Sequence, residues 1–294
     1  MPDFIATRAA GLIALNDFVP RMGRRYENGR NTDHGPGRHT AVSVLSPYIR
    51  HRLLTEHEVV AAALSAHGPE AAEKFVQEVI WRGYFKGWLE RRPQVWASFT
   101  QGRDADLAAL AKDRRLRRAV KKAEAGQTGL ACFDGWAAEL VETGYLHNHA
   151  RMWFASIWIF TLGLPWRLGA DFFYRHLLDG DAASNTLGWR WVAGLHTRGK
   201  PYPATASNIA TFTNHRFTPR PADLAALAKD RRLRRAVEKA EAGQTGLACF
   251  DGWAAELVET GYLHNHARMW FASSASFFTH LFRVESPTPK SNAT

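Results

Sequence analysis

Residues 126–156 read GQTGLACFDGWAAELVETGYLHNHARMWFAS, and this stretch decides the fold of the chain. From Thr128 to Ser156 its apolar residues recur at spacings near three and four, which predicts amphipathic helices. The pattern breaks at Thr143-Gly144, and glycine is typical of the position just after a helix. The stretch therefore predicts two helices joined by a short connection.

The flanking segments are also helical in pattern. Residues 69–90, PEAAEKFVQEVIWRGYFKGWLE, space their large apolar residues for one helical face, begin with a proline and are followed by Pro93. A further helix is predicted over about Ala170 to Leu178. No segment shows the sustained alternation that a sheet requires. We therefore predict an all-α fold.

The chain contains a long internal repeat. Residues 105–156 recur at 222–273 with one difference, Lys121 becoming Glu238. Solenoids stack many diverged copies, so two near-identical copies indicate a recent duplication or an artefact of sequence assembly.

This repeat suggests the domain organisation. We expect a helical domain over residues 1–221, in which 201–221 is an irregular closing segment, and an incomplete second site over 222–273. The polar tail over 274–294 is expected to be partly disordered.

Composition limits the class of protein. The formal charge of +10 and the pI of about 9.9 favour polyanionic partners such as nucleic acid. Two cysteines exclude a disulfide framework and indicate a reducing compartment. No apolar run is long enough for a membrane span and the N-terminus makes a poor signal peptide, so we expect a soluble, cytoplasmic protein without a membrane partner.

Asn148, Arg151 and Met152 lie at positions i, i+3 and i+4 of a predicted helix. They therefore share one face and can contact one ligand together. The structural alternative is that Arg151 only joins helices by pairing with a carboxylate such as Asp179.

A second polar cluster comprises Asp179, Gly180, Asp181 and Asn185. Gly180 permits close approach, and the acids offer acceptors to a ring N–H or a sugar hydroxyl. The alternative is a helix N-cap, since acids at helix starts accept hydrogen bonds from backbone N–H groups.

Glu78, Trp81 and Arg82 place a carboxylate, an indole and a guanidinium on one helical face. Such a set can hold a flipped nucleobase by stacking and edge hydrogen bonds. The alternative is a core tryptophan beside a salt bridge.

Other sequence features give weaker or negative indications. His147 and His149 are two positions apart on a predicted helix, so their side chains diverge by about 200° and cannot share one metal ion. No metal site is expected, and no glycine-rich nucleotide loop occurs. The basic run KDRRLRRAVKK (112–122) has the pattern of a solvated helix face, with DNA-backbone contact as the alternative.

Several blocks together resemble the flavin-binding signature of the photolyase/cryptochrome family. They are residues 126–156, LPWRLGADFF (164–173), LLDGDAASNTLGWRWVAG (177–194) and, upstream, YENGR, LSPYI and EVIWRGYFK. The blocks occur in the family's order and spacing over roughly residues 20–217. The resemblance implies a helical FAD-binding domain and a short member without the N-terminal antenna domain.

The resemblance also implies roles for individual residues. Cofactor contacts fall on Tyr26, Ser43, Ser46, Arg82, Asn148, Arg151, Asp179, Asp181 and Asn185, the last beside the flavin N5 edge. Glu78, Trp81 and Met152 border the substrate cavity. Trp166 and Trp189 match two members of the family's electron relay, whereas buried tryptophans are ordinarily packing residues.

What the resemblance implies for activity is light-driven repair of UV-damaged pyrimidines in single- or double-stranded DNA, by electron transfer from reduced flavin. The rival is a blue-light photoreceptor or another flavoprotein that binds DNA without catalysis. A duplicated chain that folds poorly and holds no cofactor is a third possibility. The second copy lacks half of the pocket, so we expect one FAD per chain, held by the first copy.

Overall fold

The computed structural model describes residues 4–197, 200–225, 244 and 248–260. The chain divides into two units, Met1–Pro219 and Arg220–Thr294. The tail at 274–294 and most of the second repeat lie outside the described residues, so the expectations for them stay predictions.

Every regular element in these described ranges is helical, so the all-α prediction is confirmed. A 3₁₀ turn spans Val19–Arg21, and a π-helical turn spans Ile157–Thr161. The helices of the first unit are α1 (Arg8–Phe18), α2 (Arg24–Gly29), α3 (Ser46–Arg50), α4 (Glu56–Glu90), α5 (Pro93–Lys112), α6 (Arg114–Glu124), α7 (Ala131–Thr143), α8 (Asn148–Ser156), α9 (Trp166–His176), α10 (Ala182–Val192) and α11 (Ala206–Phe212). The second unit contains α12 (Pro221–Leu224) and α13 (Ala248–Thr260).

The long helix α4 consists of two parts. It begins with a capping box, in which Thr55 and Glu58 each accept a hydrogen bond from the other's backbone N–H. At Gly68 the backbone leaves the helical region, with φ of 71°, and Pro69 starts the second part. The helix predicted over 69–90 is therefore confirmed as the second part of α4.

The predicted pair of helices around Gly144 is also confirmed. Gly144 adopts the left-handed conformation, with φ of 65°, and donates its N–H to the carbonyl of Leu140. This C-cap ends α7 and lets α8 begin four residues later at Asn148.

Two helix predictions differ from the structure. The helix expected over about Ala170 to Leu178 begins earlier, at Trp166 after Pro165, and ends at His176. The segment 201–221, expected to be irregular, contains α11. Thr205 caps α11 by accepting from the backbone N–H of Asn208, and burial of Ile209 holds the short helix in place.

The first unit has two groups of buried residues. One joins α1, α2, α3 and the first part of α4 with the start of the second part. The other is aromatic and joins α7, α8 and α9, with Phe133 stacked on Phe154 at 4.1 Å between ring centroids. The second part of α4, α8, α9 and α10 meet beside these groups and position the site described below.

Among the helices of the described residues, none combines the length and the hydropathy of a membrane-spanning segment.

Candidate functional site

A cavity of about 330 Å³ opens between the second part of α4, α8, α9 and α10. This volume lies within the range of small-molecule sites. The cavity is lined by Glu78, Trp81, Arg82, Phe85, Asn148, Arg151, Met152, Ala155, Phe173, Leu177, Asp179, Asp181, Ser184, Asn185, Gly188, Trp189, Trp191 and Val192.

The predicted face of α8 lines this cavity. Asn148, Arg151 and Met152 all contribute to the wall, as their helical spacing indicated. The Asn148 side-chain nitrogen lies 4.0 Å from the Met152 sulfur. Asn148 is otherwise exposed, which leaves its amide available to a ligand.

Arg151 is held in place by two interactions. Its Nε donates to the carbonyl of Leu146 at 2.9 Å, and its Nη1 lies 3.1 and 3.2 Å from the two carboxylate oxygens of Asp179. Arg151 therefore does pair with Asp179, as the structural alternative required, and this ion pair forms part of the cavity wall.

The Asp179 carboxylate is buried, with 4% exposure. Burial alone would raise its pKa, but the charge of Arg151, a hydrogen bond from Ser46 and the charge of Arg82 together lower the pKa below its ordinary value. The wall therefore carries a fixed negative charge beside its arginines.

Asp181 and Asn185 organise the start of α10. Asp181 is its N-cap and accepts from the backbone N–H of Ser184 at 2.8 Å. It also lies 3.7 Å from Arg50 Nε. Asn185 donates its amide to the carbonyl of Ala170 at 2.8 Å, which fixes α10 against α9. The capping alternative is thus correct for Asp181, although both residues also line the cavity.

The face of α4 supplies the opposite wall. Glu78 forms a salt bridge with Arg30. Trp81 is 51% exposed and packs edge-on against Tyr84, with ring centroids 5.2 Å apart. The sequence also allowed a purely structural role, with a core tryptophan beside a salt bridge. The salt bridge is present, but Trp81 is not a core tryptophan, since half of its surface is open to solvent.

Several buried polar atoms around the cavity have no hydrogen-bond partner among the residues that the structure describes. They are Nε and Nη2 of Arg82, the Ser184 hydroxyl oxygen and the Trp189 indole nitrogen. Leaving such groups buried and unpaired is costly, so they indicate the positions of ligand atoms or bound water. The arginine and indole nitrogens are donors only, so they favour a ligand rich in acceptors.

Three predicted cofactor residues do not line the cavity. Tyr26 is packed in the core against Phe75 at 5.1 Å, where burial and the nearby charge of Glu78 raise its pKa to about 12. Ser46 reaches the cavity only through its hydrogen bond to Asp179. Ser43 accepts a long hydrogen bond from the backbone N–H of Leu45, at 3.4 Å.

The two predicted relay tryptophans lie in different surroundings. Trp189 is buried, lines the cavity and packs edge-on against Trp158 at 6.3 Å. Gly169 makes its position possible, because a Cβ at residue 169 would overlap the indole. Trp166 packs instead on Phe99 at 5.6 Å.

Some lining residues were missed from the sequence. Phe85, Phe173, Ser184 and Trp191 line the cavity without belonging to the predicted set. Helical spacing could have found Phe85, three residues after Arg82, and Ser184, three after Asp181. The same spacing could have found Trp191, which lies seven residues after Ser184 and so on the same face of α10.

A cavity with aromatic walls, an arginine–aspartate pair and buried donors has the chemistry of a site for a flat, acceptor-rich ligand. Comparison with known proteins identifies the ligand class. Residues 75–216 match the model of the FAD binding domain of DNA photolyase. This part of the chain is therefore similar to the flavin-binding domain of the photolyases.

Curated relatives agree with that assignment. A deoxyribodipyrimidine photo-lyase of Thermus thermophilus is 34% identical over 201 residues, covering 66% of this chain and 44% of the relative. One from Streptomyces griseus is 34% identical over 177 residues, covering 60% of this chain and 36% of the relative. The chain spans about two fifths of the length of these relatives.

Solved structures share the fold. A bacterial class III photolyase from Agrobacterium tumefaciens has a TM-score of 0.59 at 24% identity, covering 89% of this chain and 51% of that one. A Synechocystis cryptochrome has the same TM-score at 22% identity, covering 71% of this chain and 44% of that one.

The cavity fits the flavin of FAD. Its aromatic walls suit a flat ring system, and the unpaired donors of Arg82, Ser184 and Trp189 suit ring oxygens and nitrogens. In the described part of the chain no cluster of acids, histidines or cysteines has the geometry of a metal site.

Proposed function

We propose that this protein is a light-driven lyase that repairs UV-damaged pyrimidines in DNA with FAD as its cofactor. The observation that carries the proposal is that two kinds of wall line one and the same cavity. One wall holds the Arg151–Asp179 pair and Asn185, and the other presents the exposed indole of Trp81.

On the cofactor side, Arg82, Asn148, Arg151 and Asn185 would hold FAD. Reduced FAD, when bound, supplies an electron donor that light can excite. Arg82 would donate to acceptor atoms, while Asp179 keeps the Arg151 guanidinium in one orientation. Asp181 would act indirectly, by capping α10 and so positioning Asn185.

On the substrate side, Trp81 would stack on a pyrimidine pair that leaves the DNA helix. The exposed indole offers a flat apolar face, and such stacking contributes about 1–3 kcal/mol per base. Glu78 would accept hydrogen bonds from the base edges, and Met152 would pack beside them. The net charge of +10 attracts the DNA backbone.

The proposal includes a cytoplasmic location. The cavity chemistry requires access to DNA, and Cys132 and Cys249 are not joined in a disulfide.

The experiment is an absorption spectrum of the purified protein followed by a repair assay. We expect a flavin spectrum, and restoration of a dimer-containing oligonucleotide under blue light with a reductant. A colourless protein would contradict the cofactor assignment. A flavin-loaded, reduced protein that repairs nothing in light would defeat the lyase and leave a photoreceptor.

The repeat provides a matched control for the cofactor site. Asn148→Ala should lower the FAD content of the purified protein at least several-fold, because Asn148 lines the cavity. Asn265→Ala makes the same change in the second copy, outside the described residues, and should leave FAD at one per chain. Two FAD per chain, or the reverse response of the two variants, would contradict the assignment of the site to the first copy.

A further inference from the structure

One face of α6 is basic. Val120 and Ala123 are buried, and Leu116 is half-buried on the same side. The six cations of the helix are all exposed and share its remaining surface with the exposed Ala119. We call this surface the α6 basic face, formed by Arg114, Arg115, Arg117, Arg118, Lys121 and Lys122.

Nearby carboxylates do not neutralise the α6 basic face. Asp113 is the N-cap of α6 and accepts from the backbone N–H groups of Arg115 and Leu116. Glu124 is paired with Arg175 of α9 at 2.6 Å. Within the described ranges, none of the six cations forms an ion pair with an acid.

This charge pattern is unfavourable for the helix itself. Each of the six cations has another three or four positions away, and like charges at that spacing destabilise a helix. Arg114, Arg115 and Arg117 also lie in the first turn, where the helix dipole disfavours positive charge. A polyanion bound to the face would turn these repulsions into attractions.

Nucleic acid is the polyanion that fits best. Four of the six cations are arginines, whose planar guanidinium matches phosphate oxygens in pairs. Charge attraction alone gives weak, reversible binding to an anionic membrane, and the apolar insertion that would strengthen it is missing, because Val120 and Ala123 are buried in the protein. The core of a protein interface is apolar, whereas the only apolar side chain on the exposed face of α6 is the single methyl group of Ala119.

The α6 basic face is separate from the cavity. The helix α9 lies between them, since Phe173 and Leu177 line the cavity while Leu168 and Asp171 border the groove beside α6. A ligand in the cavity and one on α6 therefore contact different sides of the domain.

We propose that the α6 basic face is a second DNA contact, which binds backbone phosphates without preference for sequence or damage. The inference rests on the proposed function, because it assumes that the chain acts on DNA. It adds a surface that holds DNA independently of the lesion.

The test compares two variants that lose the same charge. One changes Arg115, Arg118 and Lys122, which share one stripe of α6, to Gln; the other changes the scattered, exposed Arg25, Arg38 and Lys200 to Gln. Binding of undamaged duplex oligonucleotide is measured by fluorescence anisotropy over a range of NaCl concentrations. The α6 variant should reduce the slope of log K against log salt by about 2–3, since each phosphate contact contributes about 0.9. The scattered variant should change it by less than about 1.

The second copy requires its own control. The equivalent sequence positions of the second copy are Arg232, Arg235 and Lys239, outside the described residues, so the comparison is repeated in a chain where these are Gln. Equal slopes for the α6 and scattered variants in both backgrounds would overturn the inference. So would a loss of binding to phosphatidylserine–phosphatidylcholine vesicles with no change in the DNA slope.

Damaged DNA separates this inference from the proposed function. The α6 variant should weaken binding to UV-irradiated and undamaged oligonucleotide by the same factor, whereas Trp81→Ala should weaken only the former. If the wild type holds FAD and prefers damaged DNA but the α6 slope is unchanged, the α6 contact alone is wrong. If the slope falls but the wild type shows no preference for damage, the proposed function is wrong and the α6 contact stands.

Discussion

The same thirteen-residue sequence, ACFDGWAAELVET, forms α7 in the first unit and α13 in the second. In α7, Cys132 is 2% exposed and Trp136 is fully buried. In α13, Cys249 is exposed and Trp253 only half-buried. Identical residues therefore form the same helix but bury different amounts of surface.

The comparison separates helix formation, which depends on local sequence, from burial, which depends on long-range contacts. Helix formation depends on the propensities and spacing within the segment, which the two copies share. Burial depends on partners: Trp136 stacks on Trp153 at 5.6 Å and donates to Asp33 at 3.2 Å. The first copy continues as IWIFTLGLPW, which supplies the buried Trp158, whereas the second continues as SASFFTHLF.

The largest expected effect is on cysteine reactivity. In Cys249→Ser, the remaining Cys132 should react with a thiol reagent only when the first unit opens, so its rate should fall by about 10³ or more below that of an exposed thiol. In Cys132→Ala, the remaining Cys249 should react at close to the exposed rate. If Cys132 and Cys249 reacted at the same rate in the native protein, and that rate equalled the rate in denaturant, the two helices would not differ in burial.

The next effect is on the free energy of unfolding. Trp136→Ala should lower it by about 3–5 kcal/mol, because a fully buried indole is replaced by a cavity. Trp253→Ala should cost clearly less, since its indole is already partly in solvent. Urea unfolding followed by circular dichroism measures both. A larger loss for Trp253 would mean that the second copy, not the first, forms the core.

A smaller effect depends on pH. Burial lowers the pKa of His147 from 6.5 to about 4. Between these values the unfolded chain binds a proton that the folded chain excludes, so the stabilisation is complete above about pH 6.5 and is lost as the pH falls toward 4. The total is about 3 kcal/mol.

The matched control for that pH effect is His264, at the same position of the second copy. His264→Gln should leave the pH dependence of the first unit's unfolding unchanged, whereas His147→Gln should reduce it and leave the contribution of His149, whose pKa burial also lowers. Urea unfolding at several pH values between 4 and 8 measures both, and identical profiles for the two variants would contradict the assignment to His147.

The smallest effect concerns the one difference between the copies. Lys121→Glu makes the first copy identical to the second and should change the free energy of unfolding by no more than about 0.5 kcal/mol. Lys121 is exposed, so no packing is altered. The new Glu relieves repulsion with Arg117 and Arg118 but is less favourable near the helix C-terminus. A change above about 1 kcal/mol in urea unfolding would show that the two copies differ in more than charge.

Local patterns predicted the helices and much of the cavity. The spacing of Asn148, Arg151 and Met152 placed them on one face, and the structure brings that face to Asp179 and Asn185. These predictions succeeded because helical periodicity is encoded over a few residues.

Long-range contacts could not be predicted in the same way. His39 lies 3.0 Å from Glu139, one hundred residues later, and both side chains are buried. Tyr26 and Ser43 matched the family's cofactor positions by resemblance, yet they lie outside the cavity wall. The sequence also gave no sign that Nε and Nη2 of Arg82 lack hydrogen-bond partners among the described residues, because this depends on which acceptors the neighbouring helices place there.

The absence of a side chain at Gly169 determines the shape of the cavity indirectly, through the position of Trp189. Gly169 does not line the cavity, whereas Trp189 does. Any larger residue at position 169 must displace the indole of Trp189. Gly169→Ala would thus change the shape of the cavity without replacing any residue that lines it. The colour of a bound chromophore could in this way be tuned from a position that never touches it.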